Sequence, residues 1–161
     1  MSAATQYQDY WINPRIKIAA LWTSMLFVFA YVDLFSLYRD DVRADIEAGE
    51  MAGFTIGQGF LLGVTTYILL PSLMLFLSLV LTAKITRTIN IGVAALYAVT
   101  IAGSAMGEWS YYILGSVVEV ALLAGVVYYA WTWPKRTGTV ADPAVQSRAR
   151  TPVHSAPRMR G

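Results

Sequence analysis

Charge is absent from long blocks of this chain and gathers in the short stretches between them. From Phe54 to Ala83 the sequence reads FTIGQGFLLGVTTYILLPSLMLFLSLVLTA, thirty residues without Asp, Glu, Lys, Arg or His. About 20 apolar residues, each rising 1.5 Å, cross the ~30 Å hydrocarbon core of a bilayer. A water-soluble helix of that length carries charge on its wet face, and this stretch has none. The same pattern predicts four spans, at about 16–38, 56–82, 89–107 and 111–133. Asp33 interrupts span 1 after an uncharged interior from Ile18 to Val32. Pro134 ends span 4, because it has no N–H to continue a helix and disfavours helical backbone at Trp133.

Only helices and closed barrels satisfy every backbone polar group in lipid. Apolar runs of this length without strict alternation are helical. The expected fold is therefore all-α, a four-helix transmembrane bundle, antiparallel and up-down-up-down, with left-handed crossings. One membrane domain, 15–133, lies between a polar segment, 1–14, and a basic tail, 134–161. A cleaved signal peptide has early basic residues, a short apolar run and a small-residue cut site. Here Arg15 and Lys17 come late and the run after them is long, so span 1 is expected to be retained. Tyr10 and Trp11 at one end of the bundle, and Tyr128, Tyr129, Trp131 and Trp133 with them, fit an interfacial aromatic belt. Pro143, Pro152 and Pro157, with few large apolar residues, predict disorder in the tail.

Polar residues suggest which faces turn inward. Asn90, Tyr97 and Ser104 recur every seven residues in span 3, with Thr100 beside them. Gln58, Thr65 and Ser72 share a face of span 2, and Tyr112, Ser116 and Glu119 one of span 4. Gly59 and Gly63, Gly103 and Gly107, and Ala121 and Gly125 have the spacing at which helix backbones approach closely. Bundle packing is the expected use of these pairs, with homo-oligomerisation the other. Pro71, in mid-span, is expected to bend span 2.

The distribution of charge adds a direction. The start of span 1 (Arg15 and Lys17), the second connection and the tail hold two, two and six basic residues, whereas the first and third connections hold two and none. Lys and Arg accumulate on the cytoplasmic side of short loops. A multi-pass protein of the cell membrane with both termini cytoplasmic is expected, its acidic first loop outside. The tail's six basic residues against one acid serve as a topology signal or adhere to anionic headgroups. Nucleic-acid binding is not expected without a folded basic surface bearing aromatics. The expected partners are the lipid bilayer and, beyond it, further copies or other membrane subunits.

Composition excludes several chemistries. The chain is 57% hydrophobic and 14% charged, against about 25% charged in soluble domains. With no cysteine and a single histidine, His154 in the tail, no disulfide, iron–sulfur, haem or zinc site is expected. Neither a G-x-S-x-G, an H-E-x-x-H nor a phosphate-binding loop is present. The expectation is a protein that is not an enzyme and takes no cofactor or metal.

Asp33 and Glu119 are the ionisable residues inside the spans, both toward the acidic end. Acids there are rare and face protein or water. No Lys or Arg within a span can pair with them. Desolvation disfavours the charged form, and a second carboxylate nearby disfavours it further. At least one is therefore expected to be protonated at neutral pH, or the two to hold a cation or cationic ligand. The plainer reading makes Asp33 the point where span 1 leaves the core, and Glu119 a neutral acid bonded to Tyr97 or Ser104, with Gln58 a further candidate partner.

Several segments resemble a family of small bacterial membrane proteins with four spans, catalogued as a domain of unknown function. The resemblance rests on IKIAALWTSMLFVFAYVDLFSLY in span 1, GFTIGQGFLLG leading to PSLMLFLSLVL in span 2, Asn90–Ile91, and the WSYY…E pattern from Trp109 to Glu119. It implies a bacterial cytoplasmic membrane protein and supplies no activity. Small multidrug transporters also have four spans and a buried Glu, but theirs lies early in span 1, where this chain has Trp22 to Phe29. Three readings follow. The first is a non-enzymatic bundle or accessory subunit of a membrane assembly. The second is a small proton- or cation-linked transporter or channel-like protein using Asp33 and Glu119. The third and weakest is a membrane enzyme acting on lipid or quinone. A dry Glu119 bonded to Tyr97 or Ser104 favours the first, and a carboxylate open to water the second.

Overall fold

Asn13 starts the first helix: its side chain accepts the Arg15 N–H at 3.1 Å, and Pro14 occupies the first helical position, where a missing N–H costs nothing. In the computed structural model, which describes residues 11–134, this helix is α1 (Pro14–Ser36). There follow α2 (Asp40–Glu47), β1 (Glu50–Met51), β2 (Phe54–Thr55), α3 (Gln58–Val80), α4 (Ala83–Ser104) and α5 (Ser110–Trp131). The expectations for the tail, and for Tyr10, lie outside the described residues. α1, α3, α4 and α5 are 22 or 23 residues long and apolar enough to span a membrane. The four-helix bundle is thus observed, antiparallel through its connectivity.

Two connections differ from expectation. α4 begins at Ala83 rather than near residue 89. Lys84 and Arg87 therefore stand on its first turns, and Leu81 and Thr82 alone join it to α3. Charge ended the apolar run early, but an amphipathic first turn is still a good helix. The acidic loop is also structured. Asp40 and Asp41 open α2, where carboxylates suit the positive end of the helix dipole. Glu50 then pairs with Thr55 and Met51 with Phe54 in an antiparallel hairpin. Its two turn residues, Ala52 and Gly53, have φ of 50° and 77°, as a two-residue hairpin turn with the twist of the strands requires.

α5 is the central rod. It packs along both α1 and α4, and α1 also receives α3; α3 and α4, although consecutive, touch far less. The buried positions of α4 (Thr86, Asn90, Ala94, Tyr97, Ile101) and of α5 (Ser116, Glu119, Leu123, Val126, Ala130) follow a three-and-four spacing. Those of α1 (Ile18, Trp22, Met25) lie in its first half. Around Asn90 the core is polar. The Trp22 indole N–H donates to Asn90 Oδ1 at 2.7 Å, and Asn90 Nδ2 donates to Ser78 Oγ at 3.0 Å and to the Thr86 carbonyl at 2.8 Å. This network joins α1, α3 and α4 at the end that carries both termini, here the basic end.

α3 corrects the expected inward face. Gln58, Thr65 and Ser72 are exposed, and the hydroxyls of Thr65 and Ser72 return to carbonyls of their own helix, Leu61 and Ile68. Pro71, Met74 and Ser78 face inward instead. The helix continues through Pro71, but its packing changes there. Before it, side chains are exposed apart from half-buried Phe60 and Tyr67; after it, they meet α1 and α4. Pro71 has no N–H for the Tyr67 carbonyl four residues earlier, and the Tyr97 hydroxyl of α4 donates to that carbonyl instead.

Two of the three small-residue pairs are also reassigned, whereas Gly125 of the third does meet a neighbouring helix. A Cβ added at Gly59, Gly63, Gly103 or Gly107 would meet nothing within 4 Å. The close approach is made by Gly115 and Gly125 of α5. A Cβ at Gly115 would overlap Val32 Cγ2 of α1, and one at Gly125 would lie 3.2 Å from Leu21 Cδ1.

Candidate functional site

The Val32–Gly115 contact sets the depth of the two carboxylates. Asp33 is the next residue on α1, so it lies level with the first turns of α5. Glu119 is one turn beyond Gly115, about 6 Å further toward the basic end at 1.5 Å per residue. α1 and α5 run antiparallel in close contact. Asp33 is exposed, whereas Glu119 is 3% exposed.

Neither carboxylate receives a hydrogen bond from the described residues, and none forms an ion pair. The expected partners are engaged elsewhere. Tyr97 bonds the Tyr67 carbonyl because Pro71 leaves that oxygen free, and the Ser104 hydroxyl donates to the Ile101 carbonyl at 3.0 Å and takes the Tyr112 hydroxyl at 3.4 Å. Gln58 stands exposed at the start of α3. Among the described residues no side-chain polar atom is sealed inside the protein without a partner. The Glu119 oxygens, which have no partner among the described residues, are therefore not completely sealed within them.

An apolar groove opens elsewhere in the bundle, where α3 and α4 diverge. It encloses about 540 Å³ and is lined by Gly63, Thr66, Tyr67, Leu70, Tyr97 and Thr100, among others. Tyr67 forms part of its wall, stacked on Tyr97 with ring centroids 4.6 Å apart and its hydroxyl 2.8 Å from Thr100 Oγ1. As a binding site Asp33 and Glu119 offer carboxylate oxygens. No third His, Cys, Asp or Glu joins them among the described residues. This donor set suits a proton or a singly charged cation better than Ca²⁺, which takes 6–8 oxygens.

At the acidic end Arg39, just after α1, holds three elements together. Its guanidinium grips Asp41 of α2 with two hydrogen bonds, 2.6 and 3.1 Å, bonds Glu108 between α4 and α5, and lies 4.7 Å from the centre of the Trp109 ring. The Asp41 and Glu108 carboxylates hold the Arg39 pKa above its ordinary value, and Arg39 in turn lowers that of Asp41. Sequence reasoning had counted Arg39 as a loop charge. Trp22 and Ser78 were missed as polar core residues because each lies in an uninterrupted apolar run; only Asn90, which needs partners in lipid, signalled that such groups must exist.

No match to the chain is found among curated proteins or among solved structures. A family model does match, over residues 9–140, from just before α1 to beyond α5. The chain therefore belongs to the family of unknown function DUF6326.

Proposed function

We propose that this chain is a non-enzymatic, multi-pass membrane protein, both termini cytoplasmic, that carries protons or a small monovalent cation through the Asp33–Glu119 pair. One observation carries the reading. Two carboxylates on α1 and α5, helices that pack closely together, have neither a basic partner nor a hydrogen bond among the described residues. A purely structural acid in a bilayer would be tied to a donor, since an unpaired polar group there is costly. Ionisable residues at that depth generally mark ion or proton pathways. The exposed Asp33 supplies an approach from the acidic end.

The test is a flux measurement in proteoliposomes with an internal pH dye, under imposed proton, Na⁺ and K⁺ gradients. The wild type is expected to dissipate at least one gradient. Glu119→Gln, with unchanged helicity and melting temperature, is expected to abolish this, and Asp33→Asn to reduce it. Flux equal to that of empty liposomes, or full flux through Glu119→Gln, would sink the proposal.

A second reading, an accessory subunit, is favoured by α3. Leu61, Leu62, Val64, Ile68 and Leu69 before Pro71 are all exposed, so this half-helix is available to another membrane protein as well as to lipid.

A further inference from the structure

At the opposite end of the molecule from the carboxylates, the entry to α1, the α3–α4 junction and the end of α5 enclose a pocket of about 630 Å³. Its wall includes Arg15, Lys84 and Arg87, with Trp11 and Trp133 at its sides. No carboxylate of the described residues lines it. The acids of the described residues are Asp33, Glu119 and those of the acidic loops. Glu119, the nearest along α5, lies twelve residues before Trp131, about 18 Å at helical rise. Three cations thus converge on one cavity without a counter-charge among the described residues.

Two of them are held in place. Arg15 Nη1 donates to the Leu79 carbonyl at 2.8 Å, at the end of α3, and its guanidinium lies 5.7 Å from the centre of the Trp133 ring. Arg87 Nε donates to the Ala130 carbonyl at 2.9 Å and Nη2 to that of Trp131 at 3.4 Å, at the end of α5. Carbonyls at helix ends orient these side chains without neutralising them. Each guanidinium has five N–H donors, so several remain for another acceptor. Lys84 is exposed and forms no ion pair with the described residues. Nearby, Lys17 lies over the Tyr129 ring, 5.0 Å from its centre, and does not line the pocket.

We propose that this pocket binds a phosphate group, with Lys84 and the free guanidinium N–H groups on its oxygens and Trp11 and Trp133 against whatever the phosphate carries. A pocket at the membrane-interface end of apolar helices, flanked by tryptophans, has the position and chemistry of an anionic phospholipid headgroup site. Free phosphate shares that chemistry and is the alternative source.

The full chain in a neutral detergent is titrated with short-chain phosphatidylglycerol, with phosphatidylcholine of the same chains and with inorganic phosphate, following tryptophan fluorescence. Phosphatidylglycerol is expected to bind saturably and phosphatidylcholine at least ~10-fold more weakly, in line with recognition by net charge. Lys84→Gln is expected to weaken phosphatidylglycerol about fivefold and Lys17→Gln, a control that removes the same charge outside the pocket, less than twofold. Competition by millimolar inorganic phosphate would assign the site to phosphate as such; its failure would assign it to the lipid. Equal binding of the two lipids, or equal weakening by Lys17→Gln and Lys84→Gln, would overturn the pocket in favour of diffuse surface charge. Because Lys84 holds no other group in place, its variant reads binding without disturbing a helix end.

Discussion

Gly115 shows how much a single residue decides. Small-residue spacing in this chain points to Gly59–Gly63, Gly103–Gly107 and Ala121–Gly125; the first two pairs face open space, Gly125 does approach Leu21 of α1, and Gly115, outside any such motif, takes Val32 of α1 against its backbone. A small residue permits close approach; which helix approaches depends on the shapes of both partners. Val32 is β-branched and stiff, so it cannot swing aside cheaply. Gly115→Ala should therefore destabilise the protein by about 1–3 kcal/mol through overpacking. Val32→Ala in the same chain should restore most of that loss, and thermal unfolding in detergent measures both. An unchanged melt in Gly115→Ala would mean that α1 and α5 do not meet here. The same scale explains Tyr97. That Pro71 frees the Tyr67 carbonyl is legible in sequence; that the hydroxyl filling the gap comes from Tyr97, and not from a serine or threonine of α3 itself, is not.

At the scale of elements, Arg39 is the clasp of the acidic end, joining the end of α1 to α2 and to the α4–α5 turn. Arg39→Met should leave the four long helices in place and free α2, seen as faster amide hydrogen exchange from Asp40 to Glu47 with little change from Ser110 to Trp131. The pH dependence follows from Asp41. Its pKa is lowered by Arg39 in the folded state. The contact therefore stabilises the fold above the ordinary Asp pKa of about 3.9 and is lost as pH falls through the lowered value. Protection of α2 should persist across neutral and mildly acidic pH and disappear only in stronger acid. Loss of protection already at pH 6 would show that the ion pair is not what holds α2. The sequence marked this loop as acidic, but an acidic loop is equally consistent with irregular chain. The helix and hairpin form because the carboxylates at the start of α2 meet a fixed guanidinium and because Ala52 and Gly53 adopt the turn.

For the whole molecule, the charge distribution and the rods together make a prediction of sidedness. The chain has no cysteine, so single introduced thiols report position cleanly. Ala44→Cys in α2 should react with an impermeant maleimide added to intact cells, and Thr82→Cys, at the α3–α4 junction, only after the membrane is opened. The reverse pattern would invert the proposed orientation.

The four rods, their approximate ends and their alternating direction were determined by the sequence alone. Length without charge is a local property, and the bilayer accepts few solutions to it. The tertiary structure alone decided that α5 is central, that α3 packs mainly on α1 rather than on its neighbour α4, and that the helices carrying Asp33 and Glu119 lie side by side. The reason is that lipid and helix neighbours are equally apolar. In water a polar face tells a helix which side is out; α3, whose Thr65, Thr66 and Ser72 hydroxyls bond their own backbone, carries no such label, and only the fit of side chains against a particular neighbour distinguishes inside from outside.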